Sequence, residues 1–360
     1  MSILFYFPDL RPGGAERVML QLLHYMHANK YSVEVLLGKK EGELLEQLNP
    51  EIVVHELGHA RARGAVLPLI SFCKRNQPDI LFSTLGAAAA VALAKPFLPK
   101  KTKLISRLGN TIGAEQLLYK NPVRRAIYLA LNKHIAKQSD ALVFQSNYMR
   151  EDFSKFIKFE AAKGHVIYNP VSTQEIELKG REMADYSDLL AIGRLMEQKD
   201  YYTLIRSIAC YKSMEGKPIR LSIIGSGHLE KELKALVNSL ELNNEIKFLG
   251  FQRNPYKYLC KSKYLISSSL YEGFSNVILE ALALGVPAIV TDCPSGNREI
   301  VKVEENGFFT EVGDPERMAK TIKKALESEN IFNPDLIASN IKRKFDINRI
   351  GQQYLKLFSL

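Results

Sequence analysis

The stretch YLISSSLYEGFSNVILEALALGVPAIVTD, residues 264–292, decides the fold. It opens with a short apolar run, YLISSS (264–269), and turns at Glu272 and Gly273. A helical segment follows, NVILEALALGVP (276–287), with Gly285 and Pro287 to end it. A second run, PAIVTD (287–292), comes next. Two short strands joined by one helix lie parallel, with a right-handed crossover.

Working outward, the same unit repeats. DLLAIG (188–193), RLSIIG (220–225) and IKFLG (246–250) precede it in the second half. The first half holds ILFYF (3–7), VEVLL (33–37), IVVHEL (52–57), DILFST (79–84), KLISRL (103–108) and ALVFQS (141–146), then HVIYNPV (165–171). Each run is short and rich in β-branched or aromatic residues, as strands covered on both faces tend to be. Helical periods separate them, and Asp200 and Asp314-Pro315 read as helix starts. Residues 172–187 show little apolar periodicity and are read as an interdomain linker. The expectation is an α/β protein of two facing Rossmann-like domains with parallel sheets, 1–171 and 188–345. Sheets of this kind bind ligands at the carboxyl ends of their strands, which puts the site in the cleft between domains.

Composition agrees with two packed cores. The chain has 360 residues, 46% hydrophobic and 24% charged. Its four cysteines are scattered, with no Cys-x-x-Cys pair, which speaks against a zinc site or a disulfide framework and for a reducing cytosol. MSILFYFPDL lacks the charged start of a secretory signal. The apolar segment 84–99 is broken by Lys95 and Pro96, so it reads as a core helix. The net charge of +10 is uneven: residues 95–137 carry ten basic side chains and one acid, Glu115. Such an excess points to an anionic partner.

Several residues carry chemistry. Gly13-Gly14 stands between the first strand and a helix, where backbone N–H groups can meet an anion, although a plain tight turn reads equally well. Gly225 and Gly227 start a dinucleotide-like pattern, but Glu230 replaces the third glycine, so a simple turn is favoured. Glu280 lies in a helix apolar on every face and is read as a buried carboxylate in need of partners. Glu272 is eight positions earlier, at a strand end; carboxylates of this kind accept bonds from sugar hydroxyls. Arg194 and Lys199 follow the strand DLLAIG and can clasp a diphosphate, stabilising it as a leaving group.

Taken together, GGAERVM (13–19), GRLMEQKD (193–200), IIGSG (223–227), FLG (248–250) and EGFSNVILEALALGVPAIVTDCPSGNREI (272–300) resemble the family-4 retaining glycosyltransferases of the GT-B fold. The resemblance spans nearly the whole chain. It implies that Arg194 and Lys199 hold the donor's diphosphate, Glu280 the ribose hydroxyls and Glu272 the donor sugar. It puts the amides of Phe274, Ser275 and Asn276 beside the distal phosphate and Gly250 at the edge of the base. It also implies a last helix, about 346–360, crossing back onto the first domain. Many relatives carry a His just past the strand that here reads KLISRLGN; this chain has Leu108 and Gly109, with Arg107 and Asn110 adjacent. There is no Asp-x-Asp triplet or His cluster, so neither metal nor cofactor is implied.

The expected reaction is transfer of a hexose or N-acetylhexosamine, from a UDP-sugar in preference to GDP-mannose, to a lipid-linked glycan. Retention of configuration goes with the resemblance. The same fold can serve a sugar-nucleotide epimerase or hydrolase, or a nucleotide-binding module without turnover. Nucleic acid is not an expected partner, since no binding motif accompanies the basic stretch. An anionic membrane is: the cations of 95–137 alternate with apolar side chains, which suits a cytoplasmic protein resting on the inner face of the cell membrane.

Overall fold

The computed structural model describes residues 1–59, 61–84, 86–328 and 331–360. It divides into two compact units, Met1–Pro170 with Ile347–Leu360, and Val171–Asp346.

The first unit is built on seven strands: β1 (Ser2–Phe7), β2 (Ser32–Leu37), β3 (Val53–Glu56), β4 (Ile80–Thr84), β5 (Lys103–Arg107), β6 (Ala141–Phe144) and β7 (Gly164–Val166). Their order is β3-β2-β1-β4-β5-β6-β7, and every neighbouring pair is parallel. β1 shows why. Ile3, Phe5 and Phe7 enter one core cluster, while Leu4 and Tyr6 enter another on the opposite face. A strand apolar on both faces must be covered on both, and βαβ crossovers supply that cover. The order reverses between β1 and β4, so the loops after these two strands diverge and leave a crevice at their carboxyl ends.

The helix Ile347–Ser359 belongs to this unit. Ile350, Tyr354, Leu357 and Phe358 lie in the same core cluster as β1, and Phe82 meets the rings of Tyr354 and Phe358 at 5.5 and 5.3 Å. Gly351 lets it approach: a Cβ there would stand 2.2 Å from the Tyr25 ring.

The second unit has six strands, β8 (Ser187–Ile192), β9 (Leu221–Ile224), β10 (Ile246–Gly250), β11 (Ser262–Ser267), β12 (Ala288–Thr291) and β13 (Gly307–Thr310). They run β10-β9-β8-β11-β12-β13, all parallel, so the reversal falls between β8 and β11. β13, with its four residues GFFT, is a strand that apolar runs alone did not reveal.

One reading needs correction. The stretch taken as a linker contains an α-helix, Thr173–Gly180, and the passage between units falls at Pro170–Val171. Its buried residues are Thr173, Ile176 and Gly180, of which one is a large apolar side chain. Gly180 is a contact surface, since a Cβ there would lie 2.5 Å from Cys260 Sγ. Packing through small residues leaves almost no hydrophobic signal. The basic segment is divided between the fold and the surface. Lys95 pairs with Asp140 at 2.6 Å, Lys101 with Asp79 at 3.5 Å, and Arg107 is wholly buried. Leu98 is buried, and Tyr128, Leu129 and Leu131 pack against a core cluster, so part of the apolar content of 95–137 faces inward, while Lys100, Lys103, Lys120, Arg124, Arg125, Lys133 and Lys137 stay exposed. The apolar segment 84–99 forms a core helix, Gly86–Ala94, with Ala87, Ala90 and Val91 buried; Leu85 lies outside the described residues. Among the described residues no helix is long and apolar enough to cross a membrane.

Candidate functional site

The reversal in the second sheet lies between β8 and β11, and the loops leaving these strands carry the candidate residues. After β8 the chain turns sharply. The Gly193 N–H donates to the Ile224 carbonyl at 3.0 Å and the Leu195 N–H to the Ser226 carbonyl at 2.9 Å, pressing this loop against the one after β9. Gly225 and Gly227 are needed for that contact. A Cβ on Gly225, at φ +142°, would stand 1.9 Å from the Gly193 carbonyl oxygen, and one on Gly227 would stand 2.2 Å from that of Leu195. Their role is close backbone approach, in line with the simple-turn reading. The 3-10 turn Glu197–Lys199 then brings Lys199 round, and Asp200 caps the helix Tyr201–Glu215 through Thr203 N–H at 3.3 Å.

The loop after β11 is fastened to this one along its length. Ser268 Oγ donates to the Lys199 carbonyl at 2.6 Å, the Leu270 N–H to the Gln198 carbonyl at 2.8 Å, and Gln198 Nε2 to the Tyr271 carbonyl at 2.9 Å. Thr291 Oγ1 holds the Ser269 carbonyl at 2.6 Å. On this frame Lys199 Nζ donates to Glu272 Oε1, which also accepts from Ser269 Oγ at 2.8 Å. Their side chains are 21% and 11% exposed, so the ion pair is largely withdrawn from water yet open at one side. The Glu272 charge is felt nearby: burial, and then this carboxylate, push the Tyr201 hydroxyl and the Cys293 thiol up, the latter to about 11. The Arg194 side chain is exposed, with no hydrogen-bond or ion-pair partner among the described residues.

Beyond Glu272 the chain enters the helix Asn276–Ala283. Ser275 stands at its N-cap without a side-chain capping bond, and Phe274 packs on Phe345, ring centres 5.8 Å apart. Glu280 differs from the sequence reading. The helix is not buried all round: Asn276, Val277, Glu280 and Leu284 form a half-buried stripe at spacings of three and four residues. Glu280 lies on that stripe, with Tyr256 Oη donating to Oε1 at 3.3 Å. Val277 and Leu284 on the open side are what made the helix look wholly internal. Gly250 ends β10 at φ +66°, and its carbonyl accepts the Gly225 N–H at 2.9 Å.

Thus Lys199 and Glu272 are in contact, and Arg194 and Glu280 lie on the segments that carry them. Gly13 and Gly14 belong to the first unit, after β1, where the helix Gly14–Ala28 begins. There the Glu16 carboxylate comes so near that a Cβ on Gly13 would be 2.2 Å from its Oε2. Sequence reasoning missed Ser269, Gln198 and Tyr256, each a hydrogen-bonding support; the triple serine 267–269 was the one available signal. Among the described residues no three His, Cys, Asp or Glu side chains group as metal ligands would.

Known proteins resemble this arrangement over the full chain. Residues 12–175 match the family model Glycosyltransferase Family 4, and residues 173–343 match Glycosyl transferases group 1. A Campylobacter jejuni relative, N-acetylgalactosamine-N,N'-diacetylbacillosaminyl-diphospho-undecaprenol 4-alpha-N-acetylgalactosaminyltransferase, is 28% identical over 99% of this chain and 98% of its own. Another from that organism, a GalNAc-alpha-(1->4)-GalNAc-alpha-(1->3)-diNAcBac-PP-undecaprenol alpha-1,4-N-acetyl-D-galactosaminyltransferase, is 24% identical over 100% and 98%. Among solved structures, Anabaena HepE in complex with UDP and glucose superposes with a TM-score of 0.81 at 21% identity, covering 100% of this chain and 99% of that one.

Proposed function

The chain belongs to the family-4 glycosyltransferases and has their GT-B fold, and from that premise we propose that it transfers an N-acetylhexosamine or hexose from a UDP-sugar to a lipid-linked glycan, with retention of configuration. The observation that carries the proposal is the Lys199–Glu272 pair at the strand-order reversal of the second sheet, beside an uncapped helix start. A cation and a carboxylate held a hydrogen bond apart suit a substrate that is anionic at one end and rich in hydroxyls at the other.

In this reading the second unit holds the donor. Arg194 and Lys199 receive the diphosphate, and the N–H groups of Phe274, Ser275 and Asn276 add the partial positive charge of a helix start. Negative charge grows on the leaving phosphate as the glycosidic bond breaks, so these cations act most strongly in the transition state. Glu272, released from Lys199 as the phosphate arrives, accepts hydrogen bonds from the sugar. Glu280 takes the ribose hydroxyls and Gly250 edges the base. Gly13 and Gly14, at the start of the first unit's Gly14–Ala28 helix, offer backbone N–H groups to the donor's anionic part, and the rest of that unit takes the acceptor. A departing phosphate oxygen removes the acceptor's proton, and no metal is needed. The relatives named above, with full-length similarity, support a lipid-diphosphate acceptor and an N-acetylhexosamine.

The proposal extends to an anionic membrane, now restricted to residues 117–127. Leu117, Leu118, Val123 and Ile127 are 66%, 60%, 64% and 62% exposed, with Lys120 and Arg124 exposed among them. Exposed apolar groups clustered with cations suit a headgroup boundary, where a lipid-linked acceptor also resides.

The test is incubation of the purified protein with UDP- and GDP-linked sugars and a polyprenyl-diphosphate glycan, in excess EDTA. Transfer from a UDP-sugar is expected at most of the rate seen without chelator. A requirement for added magnesium or manganese overturns the protein-cation reading, and product from GDP-mannose alone overturns the choice of donor.

A further inference from the structure

The carboxyl edge of the first sheet holds a charge that the proposed reaction does not use. Arg107, the last residue of β5, is 1% exposed and the largest fully buried side chain in the protein. No carboxylate pairs with it among the described residues. Its acceptors are neutral: Nη2 donates to Asn169 Oδ1 at 2.5 Å and Nη1 reaches Thr84 Oγ1, at the end of β4, at 3.4 Å. Its Nε is buried without a partner. Tyr354 of the last helix lies within its influence; burial raises that hydroxyl's pKa and the Arg107 charge opposes the rise. Burying a guanidinium this way costs several kcal/mol, and apolar residues of similar volume often fold as well or better. The geometry the guanidinium imposes is therefore the place to look for its use.

That geometry is a relay. Asn169, fixed by Arg107, donates from Nδ2 to Gln145 Oε1 at 3.3 Å, and Gln145 Nε2 donates to the Leu108 carbonyl at 2.5 Å. Asn169 and Gln145 are 1% and 3% exposed. The Leu108 N–H is held by the Val143 carbonyl at 2.9 Å, so both sides of this residue are fastened. Two residues on, Asn110 Nδ2 donates to Glu115 Oε1 at 3.1 Å, and Glu115 also accepts from Tyr128 Oη at 2.6 Å. The half-buried turn Gly109–Asn110 is thus clamped at both ends, at the carboxyl end of a strand next to β4, which borders the reversal.

We propose that Arg107 is a positioning residue: through Asn169 and Gln145 it holds the Leu108–Asn110 turn in the one arrangement that lets the acceptor-side edge take part in transfer. The inference rests on the reading that this edge serves the acceptor. Asn169→Asp tests it. The new carboxylate still accepts from Arg107, and gives it an opposite charge, but cannot donate to Gln145, so the relay is cut at its second link while the fold keeps its anchor. Three measurements apply: melting temperature, steady-state kinetics with the UDP-sugar, and hydrogen exchange of the peptide spanning 108–112. The expected result is a melting temperature at or above the parent's, kcat lowered at least tenfold with donor KM within twofold, and faster exchange confined to that peptide. Parental kcat, or unchanged exchange at 108–112, overturns the proposal; so does a lowered melting temperature with exchange raised throughout the unit, which marks a merely structural role. A parent that turns over no nucleotide sugar counts against the proposed function instead, and the exchange measurement then decides the relay alone.

Discussion

The two units share an architecture and differ in where they keep their charge. At the strand-order reversal of the second sheet, opposite charges meet inside the protein: Lys199 on Glu272, both mostly shielded, with Arg194 exposed to solvent on the loop that carries Lys199. Beside the corresponding reversal of the first sheet a single buried cation, Arg107, is answered by an amide and a hydroxyl, and the cations lie outside, on Lys120 and Arg124. Charge held in a low-dielectric pocket acts strongly on whatever binds there, whereas charge on a solvated face acts weakly and is screened by salt. In the proposed reading one edge bears a diphosphate through bond cleavage, and the other shapes the acceptor near an anionic surface.

The comparison is sharpest for the cation pair, where the largest effect is expected. Arg194→Ala removes an unpartnered, exposed side chain, so the melting temperature should stay within about a degree or two of the parent, in line with ordinary surface substitutions. Turnover should nevertheless fall roughly 100- to 1000-fold, the size of effect seen when one preorganised donor to a developing charge is removed. Lys199→Ala should cost as much in rate and also lower the melting temperature, because it strands the buried Glu272 with Ser269 as its remaining support. Rate measurements and melts on both variants check this. Equal turnover in parent and Arg194→Ala would remove the contrast between the two edges.

A smaller effect is expected at Glu280. Glu280 is half-buried on the open stripe of its helix, so Glu280→Ala should melt close to the parent. If it binds ribose hydroxyls, UDP affinity should drop by about 1–3 kcal/mol, roughly 5- to 150-fold. Calorimetric titration with UDP against melting of the same preparation separates the two. A large fall in melting temperature with UDP affinity intact would make Glu280 part of the scaffold.

Much of this was legible in the sequence, for reasons that vary by residue. The buried strands announced themselves because β1 or β8 must be apolar on both faces, and parallel topology follows from the helices between them. Glu272 and Lys199 stood out as charged residues just past strand ends. What was hidden is whatever depends on shape. The helix Thr173–Gly180 packs through a threonine, one isoleucine and a glycine, so periodicity reads it as linker. Glu280 was placed too deep because the open stripe of its helix carries Val277 and Leu284. Arg107 was counted among surface cations, since its neutral acceptors, Thr84 and Asn169, are 23 and 62 residues away. The loop-to-loop bonds of Ser268 and Gln198 leave no trace in composition at all.

The smallest effect concerns the outer charges of the first unit. Of the ten cations in 95–137, Lys95, Lys101 and Arg107 are engaged within the fold, and apart from Phe97 the large apolar side chains left facing solvent cluster at 117–127. If that face rests on a bilayer, its cations act additively, at roughly fivefold in partitioning for each one near an anionic leaflet. Lys120→Glu together with Arg124→Glu should then lower co-sedimentation with phosphatidylglycerol vesicles by at least tenfold at low salt. Leu117→Ser with Leu118→Ser should weaken it at every salt concentration, since apolar burial is not screened. Both double variants lie away from the second sheet, so turnover of a water-soluble acceptor analogue should match the parent. Loss of turnover in solution would mean that these residues serve the site itself. Equal recovery of the parent in the supernatant with neutral and anionic vesicles at low salt would leave the patch without a membrane, and the division of charge between the two units would then need another explanation than the acceptor's lipid.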